Sequence, residues 1–151
     1  MHGGNLGKRG PCPSAIGRTR SGLTSKLHVV YDAQGQPLTF FLSAGQMDNA
    51  KGALALVSQL PLAKGLIAVK GYDAGWFRKD LTDRGVATCI PSRRGRKALA
   101  THHRKLYRQR HKVENIFARL EHWCRITIRY DRCGELFLSV IALADAVIWW
   151  M

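Results

Sequence analysis

Two features of this chain could do chemistry. The first is a pair of basic stretches without a single acid. Residues 1–31 carry Lys8, Arg9, Arg18, Arg20 and Lys26, and residues 91–112 carry Arg93, Arg94, Arg96, Lys97, Arg104, Lys105, Arg108, Arg110 and Lys112. Ordinary solvated surfaces intersperse the two signs, so this segregation points to phosphate contact. The second is Glu114, with Arg110 four residues before it and Tyr107 three residues before that. At about 100° per residue in a helix, Tyr107, Arg110, Glu114 and Glu121 fall within roughly 60° of one another. On residue types alone, an ion pair between Glu114 and Arg110, worth a few tenths of a kcal/mol, is the simpler reading.

The whole chain supports the phosphate reading. It has 151 residues, 46% of them hydrophobic, and a formal net charge of +14. That length makes one domain with a real core. Such a charge makes a polyanion the default partner, since neutralised phosphates release condensed counterions. Nucleic acid ranks first, and an anionic membrane surface second. The longest apolar run, Leu136–Met151, is too short for a bilayer and carries Asp145 near its middle, so it reads as a buried core helix. Cys12, Cys89, Cys124 and Cys133 form no C-x-x-C pair, and no signal peptide precedes them, so they read as reduced thiols of a cytoplasmic protein. A zinc site of His122, Cys124 and Cys133 matches no familiar ligand spacing.

The elements that must position these residues follow from pattern. Residues 1–22 read as a basic Gly/Pro-rich arm, and residues 23–151 as the folded domain. Leu23–Tyr31, a turn at Asp32–Gly35, and Pro37–Ser43 make a hairpin. Asp48 caps a helix running to about Leu60. Leu66–Val69 reads as a buried strand, and Asp73 as the cap of a helix that stops at Gly85. Val86–Ile90 is a second buried strand, ended by Pro91. A long helix from about His102 to Trp123 puts Leu106, Val113, Phe117, Leu120 and Cys124 on a core stripe. Arg104, Lys105, Arg108, Lys112 and Arg119 then occupy its far side. After a short irregular stretch, an apolar helix starts near Gly134. The order predicts an α/β fold, a mixed sheet flanked by helices. Nothing before residue 23 reads as a strand, so a first strand is expected to be missing and its neighbour to keep an open edge.

The run Tyr107-Arg108-Gln109-Arg110-His111-Lys112-Val113-Glu114 resembles the Y-x2-R-x3-E-x6-K signature of DDE transposases, closest to the bacterial group named for insertion sequence five. Further blocks agree in order: Ile16–His28, Tyr72–Arg78, Ile90–Arg93 and Arg129–Cys133. The resemblance implies a partial RNase H-like fold and metal-dependent DNA strand cleavage and transfer. In that family three carboxylates hold two divalent ions, Mg²⁺ or Mn²⁺, as hard oxygen ligands suit.

Carried over by residue, the resemblance assigns Glu114 as the surviving catalytic and metal-binding acid, with Tyr107 and Arg110 in support. Val69 stands where the family's second aspartate belongs, the first aspartate's strand is not found, and Glu121 replaces the signature's lysine. The expectation is therefore a DNA-binding C-terminal fragment, catalytically incompetent alone and a remnant of an element. Its DNA contacts are expected from Arg18, Arg20, Arg93, Arg94, Arg96, Lys97, Arg104, Arg108, Arg110 and Lys112. Two other readings stand beside it. One is a working subunit in a homo-oligomer, completed by an upstream segment or by a partner's acids, or by Asp73. The other is a basic RNA-binding protein, disfavoured because Trp76, Trp123, Trp149 and Trp150 sit at core-like helical positions.

Overall fold

A computed structural model describes residues 14–58, 63–96 and 102–150. Lys97, one of the expected DNA contacts, lies outside them, as does most of the basic arm. The hairpin forms where alternation predicts it: β2 (Gly22–Tyr31) pairs antiparallel with β3 (Pro37–Ala44). Asp32 closes the turn, its Oδ1 accepting from the N–H groups of Gln34 at 2.9 Å and Gln36 at 2.8 Å. Gly35 supplies the positive φ that this turn requires.

A short strand that composition hides precedes the hairpin. β1 (Gly17–Thr19) folds back on Gly22–Thr24, so residues 17–22 belong to the sheet and not to the arm. Beyond Thr24, β2 pairs with β3 alone among the described residues, which leaves that part of its other edge open.

Instead of one mixed sheet there are two small ones among the described residues. The three-stranded antiparallel sheet runs β1-β2-β3, and a parallel pair joins β4 (Gly65–Ile67) to β5 (Ala87–Cys89). β4 is shorter than expected. After Ala68 donates to Cys89, Val69 leaves the ladder and the chain tightens into a 3-10 turn at Lys70–Tyr72. Asp48 caps α1 (Asn49–Val57) as predicted, its Oδ1 accepting from Ala50 N–H at 2.8 Å. Gly85, with positive φ, ends α2 (Gly75–Asp83), also as predicted. Asp73 does not cap α2: the N-cap is Ala74, without a side-chain bond.

The predicted long helix is segmented. α3 (Arg104–Tyr107) passes through a 3-10 turn at Arg108–Arg110 into α4 (His111–Glu121). His103 caps α3, its Nδ1 accepting from Leu106 N–H at 3.1 Å. The stretch read as irregular holds the short α5 (Cys124–Thr127), and α6 (Gly134–Trp150) follows. α6 is not a fully buried helix. Phe137, Ile141 and Ala144 are in the core, while Leu136, Leu143 and Trp149 are 60%, 67% and 42% exposed. Among the described residues no helix is long and apolar enough to cross a membrane. Trp76 and Trp123 also face solvent, contrary to the core-like spacing. Cys89 is a buried free thiol, whereas Cys133 is disulfide-bonded, so the expectation of four thiols fails there.

Among the described residues two apolar clusters hold the elements. Ala50, Ala53, Phe77, Leu81 and Ile90 join α1, α2 and the end of β5. Leu42, Phe137 and Ile141 join β3 to α6, with Leu27, Phe40 and Ile126 against them.

Between the two sheets lies a buried polar link that no periodicity announces. His28 on β2 shares one hydrogen bond with Ser43 on β3, at 2.8 Å, and another with the Tyr72 hydroxyl, at 3.0 Å. Burial, with Lys26 nearby, holds the His28 imidazole below its usual pKa, which favours the neutral ring. Gly52 on α1 makes room for it: a Cβ there would lie 2.5 Å from His28 Nε2. Ala is worth about 1 kcal/mol more than Gly in a helix interior. The ring is pinned on both nitrogens, so the overpacking cost of about 1–3 kcal/mol outweighs that gain. Gly52→Ala should therefore lower the thermal midpoint. A midpoint equal to or above that of the unaltered protein would show that the ring can give way.

Candidate nucleic-acid interface

The helical segment from Arg104 to Glu121 brings the signature residues together in series. The Arg110 guanidinium sits over the Tyr107 ring, 5.3 Å from its centroid, and its Nη1 pairs with Glu114 Oε1. A cation over a ring and an i,i+4 ion pair are each worth a few tenths of a kcal/mol to about 1 kcal/mol at a surface. Their effect is to orient Glu114, not to stabilise the fold. His102 adds a T-shaped contact to Tyr107, with ring centroids 5.4 Å apart. Glu114 lies in the first turn of α4 with 56% of its side chain in solvent.

The basic residues fall into two groups by what they touch. Arg18 and Arg20 on the β1 turn, Arg94, and Arg104, Lys105, Arg108 and Arg119 on the helical segment are exposed. Lys112 is exposed too, but its ammonium donates to the Ala33 carbonyl at 2.7 Å and ties α4 to the β2–β3 turn. Arg93 and Arg96 are engaged with protein partners, although Arg93 is itself exposed. Arg96 pairs with Asp73, and Arg93 donates its backbone N–H to Asp73 at 2.8 Å. Arg93 also donates its guanidinium to the carbonyls of Lys70, at 3.2 Å, and of Gly71. Arg78 completes the ring around Asp73 at 2.7 Å. Burial alone would push the Asp73 carboxyl up. The Arg78 hydrogen bond, the Arg93 N–H and the two guanidinium charges outweigh it and hold the group below the usual carboxylate range.

Sequence reasoning foresaw neither the Asp73 cluster nor the His28 link. Asp73 beside a helix start looked like a cap, because capping is the commonest use of an acid at that position. Nothing in the spacing shows that arginines from 5, 20 and 23 residues away converge on it. Val69 is half-buried just past the end of β4, in extended backbone. The main packing partners of α4 are α5 and α6, while β4 packs on β5, so no major contact joins Glu114's helix to the strand that precedes Val69.

The family described as "Transposase DDE domain" matches residues 7–135. The chain belongs to that family. It is 32% identical over 154 residues to a protein named as a transposase for insertion sequence element IS402 of Burkholderia cepacia, covering 95% of this chain and 69% of that one. It is 33% identical over 128 residues to one named for insertion sequence element IS6501 of Brucella ovis, covering 84% of this chain and 98% of the relative. No solved structure matches it.

DDE transposases imply a pair of divalent ions, and the acids of this transposase domain do not fit them. A two-ion site needs carboxylates from several elements converging on ions about 3.5–4 Å apart. Here Glu114 pairs with Arg110, both oxygens of Asp73 accept from N–H donors, and Val69 offers a hydrocarbon. Among the described residues no group of three His, Cys, Asp or Glu side chains could hold a metal. Glu121 is exposed at the end of α4 and adds negative charge to a basic helix.

Proposed function

We propose that this transposase domain, on an RNase H-like fold, binds duplex DNA through its backbone phosphates and does not by itself cleave it. The observation that carries the reading is the exposed basic side of the Arg104–Glu121 segment. Arg104, Lys105, Arg108, Lys112 and Arg119 stand there in solvent on a chain of charge +14. Arg18, Arg20 and Arg94 extend the phosphate contacts beyond that segment, and Lys97 adds a further one by sequence. Tyr107, Arg110 and Glu114 keep the arrangement of the family's signature without a partner acid. Hairpin, helix, strand, helix, strand, helix is an order compatible with an RNase H-like core. The exposed side of α6, where Leu136, Leu143 and Trp149 stand with Glu135 among them, supports assembly with further copies of the chain. The protein's place of action is the cytoplasm, on nucleoid DNA.

Fluorescence anisotropy with two short duplexes of unrelated sequence tests the reading. Both should bind with similar affinity, because phosphate contacts carry no base information. Tight binding to one sequence alone would require base readout that this surface does not supply, and binding to neither would end the proposal.

A further inference from the structure

At the carboxyl ends of β4 and β5, beside Val69, cations gather around one buried carboxylate. Only 1% of the Asp73 side chain reaches solvent, yet it fastens a loop and a helix to its own turn. From the 91–96 loop it takes the backbone N–H of Arg93 and the guanidinium of Arg96; from α2 it takes Arg78, which also donates to the Ile90 carbonyl at 2.5 Å. Arg93 then reaches the Lys70 and Gly71 carbonyls and comes within 3.9 Å of Asp48. Arg78 is spent in this work, with 12% of its side chain exposed, but Arg96 keeps 29% and Arg93 45% in solvent. Lys70 and Arg94 are exposed beside them. Lys70, Arg78, Arg93, Arg94 and Arg96 thus stand against two carboxylates, Asp48 and Asp73.

Such a site repels a divalent cation and suits an anion with several oxygens. Guanidinium forks match phosphate geometry, and they gain most when held in place before binding. We propose that the Asp73 cluster is a metal-independent phosphodiester site, with Asp73 as the positioning residue that presents Arg93 and Arg96 at the strand ends. The inference rests on the DNA-binding reading above and adds the site, the absence of a metal requirement and the role of an acid in binding an anion. Asp73 stays ionised at neutral pH because its arginine partners hold its carboxyl down, so the 91–96 loop and α2 remain fastened under working conditions.

The sign of one substitution separates positioning from simple charge. Asp73→Asn removes a negative charge, and by Coulomb attraction alone it should tighten DNA binding. If Asp73 positions the arginines, affinity for a short fluorescent duplex should instead fall by about tenfold, as expected for losing one or two charge-assisted bonds. Arg96→Lys keeps the charge and loses the fork, and should fall similarly. Arg84→Ala, removing a cation paired with Asp80 on the far end of α2, should change affinity little. Replacing Mg²⁺ with a chelator at matched ionic strength should leave the affinity of the unaltered chain unchanged.

Circular dichroism checks each variant's fold, and if Asp73→Asn unfolds, Arg96→Lys carries the test. Arg96→Lys binding as tightly as the unaltered chain overturns the proposal, as does loss of binding on chelation. Failure of the unaltered chain to bind any duplex would instead end the broader DNA-binding reading.

Discussion

Duplex DNA affinity should fall by on the order of a thousandfold or more between about 50 and 200 mM salt, the loss expected for about six phosphate contacts. Arg18, Arg20, Arg94, Arg104, Lys105, Arg108 and Arg119 are exposed, with Lys112 beside them, so that number of contacts is within reach of the surface. Each neutralised phosphate releases condensed counterions, and the logarithm of affinity then falls linearly with the logarithm of salt concentration. Arg104→Glu and Arg108→Glu should each reduce the slope by about one and weaken unrelated duplexes equally, because the contacts read the backbone and not the bases. The Arg93 and Arg96 guanidiniums are held by protein partners, so their removal should affect intrinsic affinity more than a free surface cation's would. Anisotropy titrations at four or five salt concentrations measure all of this. A flat salt dependence would show that apolar or base contacts, and not phosphates, hold the complex.

The parts of the fold that were legible in the sequence are those governed by local chemistry. Asp48 caps its helix, Asp32 closes its turn and Gly85 stops α2 because each satisfies backbone groups within a few residues of itself. Tyr107, Arg110 and Glu114 meet because one helical segment carries all of them. The misreadings involve partners distant in sequence or faces whose cover cannot be known. β1 is polar and short, so it shows no alternation, and only its pairing with Gly22–Thr24 reveals it. The apolar run of α6 promised burial on all sides, yet the neighbouring elements cover only one face of it. Asp73 and His28 are each of a residue type with a bland local use. What makes them central is that Arg93, Arg96 and Tyr72 arrive from elsewhere in the chain. For the same reason the basic residues could be counted from the sequence, but not sorted into free and engaged.

No metal-dependent DNA cleavage should be seen from the chain alone, and restoring a single acid should not create it. A two-ion mechanism positions one ion at the attacking oxygen and one at the leaving oxygen, and both must be held to within about half an ångström. Glu114 alone cannot do that while it pairs with Arg110 at an exposed helix turn. Val69→Asp would place a carboxylate just past the end of β4, yet no major contact joins that strand to α4. The new acid would also stand beside Lys70 and near the Asp73 arginines, which would compete with an ion for its oxygens. A supercoiled plasmid incubated with the protein and Mg²⁺ or Mn²⁺ should therefore stay closed with the unaltered chain and with Val69→Asp alike. Activity should need a third acid as well, supplied on an added upstream strand or by a partner chain, and Glu114→Gln should then abolish it. Glu121→Lys should tighten DNA binding and leave the absence of cleavage unchanged, since it restores a cation on the basic helix without adding a ligand. Nicking by the unaltered chain that disappears in Asp73→Asn would reverse this reading. It would mean that Asp73 releases its arginines when DNA and metal arrive and serves as the second acid itself.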